Sequence, residues 1–250
     1  MDISVIIIAK NEAENIQKCV TSALQVSSDV IVADTGSTDN TAVLAQQYGA
    51  RVIQVAWDGY GQTKNNCATF AINSWIFSLD ADETITPQLA TAVTALANVG
   101  ESNLFKMKRV SFFGEKEIKH GSWKKDYVIR LYNKNYTGWN NSDVHEGIIK
   151  HNAAVTTLAG TLQHFTVKSL IMFTRKNIEY AYLWATNAAK KNKRPLFIKQ
   201  YAAPLLNFIQ GYIIRLGFLD GIEGYWIARI NAFYTFMKYA ALREIQKKAL

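Results

Sequence analysis

Three of the four residues from Asp80 to Glu83 carry carboxylates, and they close the apolar run "WIFSLDADETI", Trp75 to Ile85. Buried carboxylates are costly unless they are paired or hold a cation, so this run either meets water or meets positive charge. Asp80 and Asp82 can hold a divalent cation such as Mg²⁺ or Mn²⁺, which takes oxygen ligands and bridges diphosphate oxygens. Ala81 between them would let the backbone approach a nucleotide while the two carboxylates divide between sugar and metal. A plainer possibility stands beside this one: the acids would belong to the start of a helix over "TPQLATAV" and complement its dipole. Their position after a buried strand favours the first. Neither GxGxxG nor GxxxxGK[ST] occurs, so glycine-loop recognition of phosphates has no support.

The elements that would position these acids alternate along the first hundred residues. "ISVIIIA" reads as a strand buried on both faces, and Ala13, Ile16, Cys19/Val20 and Ala23/Leu24 follow at helical spacing. "DVIVAD" is a second strand that ends in the turn "TGSTDNT", where Ser37 and Thr38 would cap a helix and Asp39 would belong to its start. "RVIQVA" and "WIFSLD" are the third and fourth strands. This βαβαβ order predicts an α/β domain with a parallel sheet covered by helices, whose ligand site lies beyond the carboxyl ends of the strands. "LFKMKRV", "YVIRLY" and "VHEGIIK" predict shorter strands in a second half, and from Val167 onward the pattern is helical and aromatic. The expected organisation is a domain over 1–165, divided into 1–100 and 101–165, followed by a helical region over 166–250.

The chain has 250 residues, of which 49% are hydrophobic, enough for a large core without staples. Cys19 and Cys67 fall in apolar helical patterns and read as buried, reduced thiols. The acidic residue ahead of the first apolar run argues against a signal peptide, and no apolar segment reaches the roughly 18 residues of a spanning helix. The net charge of +8 is unevenly placed: residues 1–164 hold 14 Lys/Arg against 16 Asp/Glu, and residues 165–250 hold 14 against 4. That asymmetry suggests a polyanionic partner for the tail, either nucleic acid or an anionic membrane. No nucleic-acid module is recognisable, so no nucleic-acid partner is expected.

"SVIIIAKNEAENI", "VIVADTGSTDNT" and "WIFSLDADE" together resemble the nucleotide-binding half of glycosyltransferase family 2, which has the GT-A fold and uses sugar nucleotides. The resemblance implies that Ala9, Asn11 and Glu12 line the nucleoside pocket and Asp34 bonds the base. It further implies that Asp80 reaches the ribose and Asp82 binds a divalent cation, Mg²⁺ or Mn²⁺, on the diphosphate. The first motif lacks the Pro and Tyr that many relatives carry there. Lys64 in "GYGQTKNNCATFA" occupies the place of a basic residue in similar sequences and would offset diphosphate charge, unless it is a solvated surface lysine.

"HGSWKKDYVIRLYNKNYTGWNNSDVHEGI" and "GFLDGIEGYWIA" are similar to bacterial β-1,4-glucosyltransferases of the lipopolysaccharide or lipooligosaccharide inner core. An inverting transfer needs one carboxylate to take the acceptor's proton. Glu146 in "VHE" is favoured for that role over Asp126, and either could instead be an ion-pair partner of Arg130 or His145. The spacing of His120, His145, His151 and His164 matches no compact zinc signature. His164 would join Asp82 on the metal, as a C-terminal His sometimes does in GT-A enzymes, or be a core histidine. His120 and Trp123 would line the acceptor side.

Lys190, Lys191, Lys193 and Arg194, interleaved with Trp184, Phe197, Tyr201, Phe208, Tyr212 and Trp226, suit helices lying on an anionic bilayer. The expectation is a metal-dependent inverting enzyme, peripheral on the cytoplasmic face of the inner membrane. It would move a hexose, glucose first, from a UDP-sugar to a heptose of a lipid-linked core saccharide. The rivals are a family 2 enzyme acting on a polyprenyl phosphate or a capsule intermediate, and a scaffold that binds sugar nucleotides without catalysis.

Overall fold

The structure, a computed structural model, describes residues 1–124, 126–140, 146–194 and 197–248. The chain divides into two compact units, Met1–Val110 with Lys125–His164, and Ser111–Lys124 with Phe165–Leu250.

In the first unit, β1 (Ile3–Ala9), α1 (Ile16–Ala23), β2 (Asp29–Asp34), α2 (Thr41–Gln47), β3 (Arg51–Gln54), α3 (Tyr60–Thr69) and β4 (Trp75–Asp80) alternate. The first three strands and β4 are all parallel neighbours, with Ala9 opposite Asp34 and Ile8 opposite Asp80. This register is the first positioning device of the fold, because it brings the ends of β2 and β4 to either side of the end of β1. Val5 and Ile7 pack with Cys19, Val20 and Phe77 on one face. Ile6 packs with Cys67, Ile76 and Tyr132 on the other. That alternation explains why β1 is apolar throughout: both of its faces are covered. Burial raises the Cys19 thiol well above its ordinary pKa and pushes the Cys67 thiol up to about 12, so both are unreactive, reduced side chains.

After β4 come β5 (Glu83–Ile85), α4 (Pro87–Thr94), β6 (Leu104–Phe113), β7 (Lys116–Glu117), β8 (Asp126–Asn133) and β9 (Val155–Val167). The sheet order is β3-β2-β1-β4-β8-β6-β9-β5. The acids of Asp80 to Glu83 do not cap a helix: α4 is capped by Thr86, whose Oγ1 accepts from Leu89 N at 3.4 Å, and Glu83 opens β5. The strand expected around "VHEGIIK" is reduced to a single bridge between Trp139 and Ile148, and residues 141–145 lie outside the described residues. The thirteen-residue β9, "VTTLAGTLQHFTV", was not expected. Gly160 lets it pass the start of α4, since a Cβ there would lie 2.3 Å from Leu89 N, and its φ of +89° suits glycine.

The second unit holds the hairpin ends of β6 and β7 and the helices α5 (Leu170–Lys190), α6 (Phe197–Phe208) and α7 (Gly221–Lys248). Residues 111–124 belong here because Phe113, Ile118 and Trp123 pack with Phe173, Trp226, Ile227 and Ile230. Ala185 and Ala188 of α5 meet Ala241 and Leu242 of α7, and the three alanines let the two helices approach closely. Among the described residues no single helix is long and apolar enough to cross a membrane.

Candidate active site

Two loops at the carboxyl edge of the parallel strands are joined by hydrogen bonds. Asn11, at a left-handed φ of 56°, donates its backbone N–H to Ser37 Oγ at 2.9 Å and accepts from Thr38 N at 2.8 Å. Glu12 N donates to Thr41 Oγ1 at 2.7 Å and Ala13 N to Asp39 Oδ2 at 3.2 Å. Ser37 and Thr38 therefore do not cap α2. Ser37 donates to the carboxylate of Asp34 through its hydroxyl and its N–H, and the start of α2 is held by Asp39, which accepts from Thr41 N at 3.0 Å. The Ala9 carbonyl accepts from Thr35 N at 3.0 Å, and Glu12 Oε2 accepts from Asn15 at 2.6 Å. Ala9, Asn11, Glu12 and Asp34 thus form one braced surface beside β4.

Asp80 and Glu83 lie inside a ladder of alternating charges. Lys64 Nζ is 3.0 Å from Asp80 Oδ1, and Arg130 Nη2 donates to Asp80 Oδ2 and, at 2.7 Å, to Glu83 Oε1. Arg109 reaches Glu83 at 3.3 Å and donates to Asp126 Oδ2 through Nε at 2.7 Å and through Nη2. Three cations and three anions alternate, which is how a fully buried Glu83 and a nearly buried Arg130 are accommodated. Burial alone would raise the Asp80 pKa, but the charges of Arg130 and Lys64 outweigh it and hold the carboxyl far below the usual range. Burial opposes the charge on Arg130 too, and Asp80 and Glu83 overcome it, raising the guanidinium pKa.

Lys64 is not a solvated surface lysine. Its side chain is 2% exposed, and Nζ sits 4.0 Å over the Trp139 ring as well as against Asp80. Two contacts set this geometry. Asn65 clasps Trp139, donating to its carbonyl at 2.9 Å and accepting from its N–H at 2.8 Å. Gly61 lets α3 touch the same loop, for a Cβ there would lie 1.9 Å from the Asn140 carbonyl oxygen. Gly61→Ala is expected to destabilise the chain by about 1–3 kcal/mol through overpacking against backbone, measured as a lowered thermal midpoint; an unchanged midpoint would mean that the loop yields without cost.

Asp82 stands outside the ladder. Register places Glu83 opposite His164, and this carries the His164 ring to Asp82, with Nε2 3.2 Å from Oδ2. Both side chains keep some exposure, 21% for Asp82 and 13% for His164. A carboxylate oxygen suits either Mg²⁺ or Mn²⁺, an imidazole nitrogen favours the softer Mn²⁺, and their separation is close to the about 3 Å between adjacent ligand atoms on an octahedral ion with bonds of about 2.1 Å. Among the described residues no three His, Cys, Asp or Glu converge on one point. A cation held here would thus draw its remaining ligands from water or from a bound diphosphate.

Of the two candidate bases, Asp126 pairs with Arg109, while Arg130 pairs with Asp80 and Glu83; His145 lies outside the described residues, and Glu146, the next residue, is half-buried. His120 and Trp123 fall in the second unit. His120 Nδ1 is 3.0 Å from Asp220 Oδ1, and the Trp123 ring packs against Phe113 and Phe173 with centroids 6.5 and 5.5 Å away.

The family model for glycosyl transferase family 2 matches residues 4–151, more than half of the chain, and contains the loops, Asp80, Asp82 and Arg130. The chain belongs to glycosyl transferase family 2. The transferase is 27% identical to an uncharacterized glycosyltransferase of Rickettsia bellii, over 97% of this chain and 86% of the relative. It is 26% identical to the lipopolysaccharide core biosynthesis glycosyltransferase LpsC of Rhizobium meliloti, over 97% and 92%. Among solved structures it overlaps 44% of the glucosyl-3-phosphoglycerate synthase of Mycobacterium tuberculosis bound to Mn²⁺, UDP and glucosyl-3-phosphoglycerate. That overlap covers 44% of this chain, with a TM-score of 0.36 and 23% identity. The α/β sheet of the transferase is that of the GT-A fold.

Arg109 and Trp139 were not assigned roles from sequence, Glu83 was read only with the acids of its run, and Arg130 only as a possible ion-pair partner of Glu146 or Asp126. The pairing of Arg130 with buried acids had a signal in the sequence, since it interrupts the apolar alternation of "YVIRLY", and a cation inside a buried strand must find carboxylates.

Proposed function

We propose that this transferase moves a hexose, glucose in the first instance, from a UDP-sugar to a heptose of the lipopolysaccharide or lipooligosaccharide inner core, with inversion at the anomeric carbon. The observation that carries the reading is the pairing of Asp82 with His164 at the strand edge, apart from the ladder that holds Asp80 and Glu83. LpsC, similar over nearly the whole chain, supports the core saccharide as acceptor. In this reading Asp82 and His164 hold Mg²⁺ or Mn²⁺, which when bound offsets the charge that develops on a departing diphosphate. Ala9, Asn11, Glu12 and Asp34 receive the nucleoside, and Ala81 lets the backbone lie close to it. Asp80, fixed by Lys64 and Arg130, presents a rigid carboxylate toward the ribose.

Glu146 takes the proton of the acceptor hydroxyl. Asp126 is the weaker candidate because its Oδ2 already accepts two guanidinium hydrogen bonds from Arg109. Glu146→Gln is expected to lower kcat by about 10²–10⁴ while leaving UDP binding intact; a full-rate Glu146→Gln enzyme would transfer the role elsewhere. A lipid-linked acceptor would place the enzyme peripherally on the cytoplasmic face of the inner membrane.

The direct test is a donor screen with truncated core acceptors followed by linkage analysis of the product. It is paired with mass spectrometry of intact saccharide from a strain lacking the gene. Loss of one inner-core hexose is expected. An unchanged core would redirect the activity to another acceptor, and absence of UDP release with every donor would leave a binding protein without catalysis.

A further inference from the structure

The geometry points to the elbow between α6 and α7, from Ile198 to Ile222, as a re-entrant wedge that enters the acyl region of an anionic bilayer. This sharpens the membrane location in the proposed function, and it rests on that reading only for which membrane is met. The surface of α6 is turned out relative to a helix in water. Leu205 and Leu206 are 61% and 64% exposed, whereas Gln200 is 6% exposed and its Oε1 has no hydrogen-bond partner. A helix packed for water places its amide outside and its leucines inside.

The apolar surface continues through the π-helical turn Ile209–Ile214, where Ile213 and Ile214 are exposed, and through the 3₁₀ turn Gly217–Asp220, where Phe218 and Leu219 are exposed. The segments Ile198–Ile214 and Gly217–Lys247 are apolar enough to be considered together for a membrane, but a bend of 70° separates them. A pair so bent fits a broken span or a re-entrant turn, and only the second enters and leaves by the same face.

The turn is built to be tight. A Cβ on Gly217 would lie 2.6 Å from the Gly211 carbonyl oxygen, and one on Gly224 1.9 Å from that of Gly217. Several of its backbone groups are also bonded within the protein, as irregular chain at membrane depth requires. Arg215 N donates to Gln210 O at 2.9 Å, Leu216 N to Ile213 O at 3.0 Å, and the Arg215 carbonyl accepts from Gly121 N at 2.9 Å.

Charge identifies the occupant. Asp220, the one acid from 198 to 222, is buried and turned inward, accepting from Lys119 N at 3.2 Å and His120 N at 2.7 Å. The charges left on the outside are those of Lys199 and Arg215, and the exposed Lys190, Lys191, Lys193 and Arg194 stand just before α6. An exposed apolar surface with Arg215 at its bend and further cations before α6 complements anionic headgroups over acyl chains, the long arginine side chain reaching back to the headgroups. A second copy of the chain would bring a like excess of positive charge to the same contact.

The test floats the full chain with vesicles of phosphatidylethanolamine and phosphatidylglycerol, and separately with phosphatidylcholine alone. Binding to the anionic vesicles should persist in about 0.5 M NaCl, where attraction between exposed charges is screened. Leu206→Glu and Leu219→Glu should each lower the bound fraction about tenfold. A tryptophan placed by Phe218→Trp should be quenched by lipids brominated on their acyl chains. Complete release by salt with no effect of the glutamates would reduce the contact to headgroups and overturn the wedge. So would an unquenched Phe218→Trp, or self-association abolished by the glutamates without flotation. UDP binding is measured on the same preparations. Flotation lost with UDP binding intact counts against the wedge alone, and flotation retained with no UDP binding counts against the proposed transfer alone.

Discussion

An Asp82→Ala enzyme is expected to lose transfer by a factor of about 10³ or more, and with it the dependence of UDP affinity on Mn²⁺ or Mg²⁺. The side chain is partly exposed, and surface pairs of this kind contribute little, so the fold should tolerate its removal with a small change in thermal midpoint. His164→Ala should follow the same course more weakly, because the carboxylate supplies the charge and the imidazole only a neutral donor. Calorimetric titration of UDP, with the metal present and with it chelated, separates this outcome from a general loss of structure. Full activity in Asp82→Ala would remove the cation from the mechanism. Full activity in Asp82→Ala together with unchanged metal-dependent binding would also remove the site from this edge of the sheet.

Removing Arg130 is expected to act on stability first. Arg130→Met leaves the buried Glu83 with Arg109 at 3.3 Å and the Asp80 N–H at 3.1 Å, and it takes from Asp80 the guanidinium that stands opposite Lys64. Breaking a buried pair from one side costs about 3–5 kcal/mol, which for a unit of this size is roughly 10 °C in thermal midpoint. Arg130→Lys should recover little, since an ammonium lacks the guanidinium fork that reaches both carboxylates. In the double variant Arg130→Met with Glu83→Gln, the stranded charge is gone, so much of the loss should return. Additive losses in that cycle would show that the two residues do not depend on each other, and the ladder would have to be abandoned as an account of how Asp80 is held.

These two expectations differ in how far they could be read from the chain. The parallel half of the sheet was legible because "ISVIIIA", "DVIVAD", "RVIQVA" and "WIFSLD" are continuous or alternating apolar runs with helical spacing between them, and burial on one or both faces writes such patterns directly into sequence. The second half was less legible. β9 is rich in threonine and carries Gly160, so its apolar periodicity is weak, and it forms because it lies between β6 and β5 in the sheet. "VHEGIIK" has the opposite character: its residues look like a strand, yet beyond one bridge the described part pairs with nothing.

Sequence by itself determined that acids stand at the ends of β2 and β4, that neither common glycine-rich phosphate loop is present, and that the positive charge gathers after residue 165. Those are properties of local pattern and composition. Which of the acids is structural was decided only by the tertiary structure, because pairing depends on cations from distant segments: Lys64 on α3, Arg130 on β8 and Arg109 on β6. They neutralise Asp80, Glu83 and Asp126, and the antiparallel register of β5 with β9 brings His164 to Asp82 across 82 residues of chain. The outward apolar surface of α6 is of the same kind: the spacing of its leucines is visible in sequence, but which side turns to α7 and which to the outside is a fact of packing.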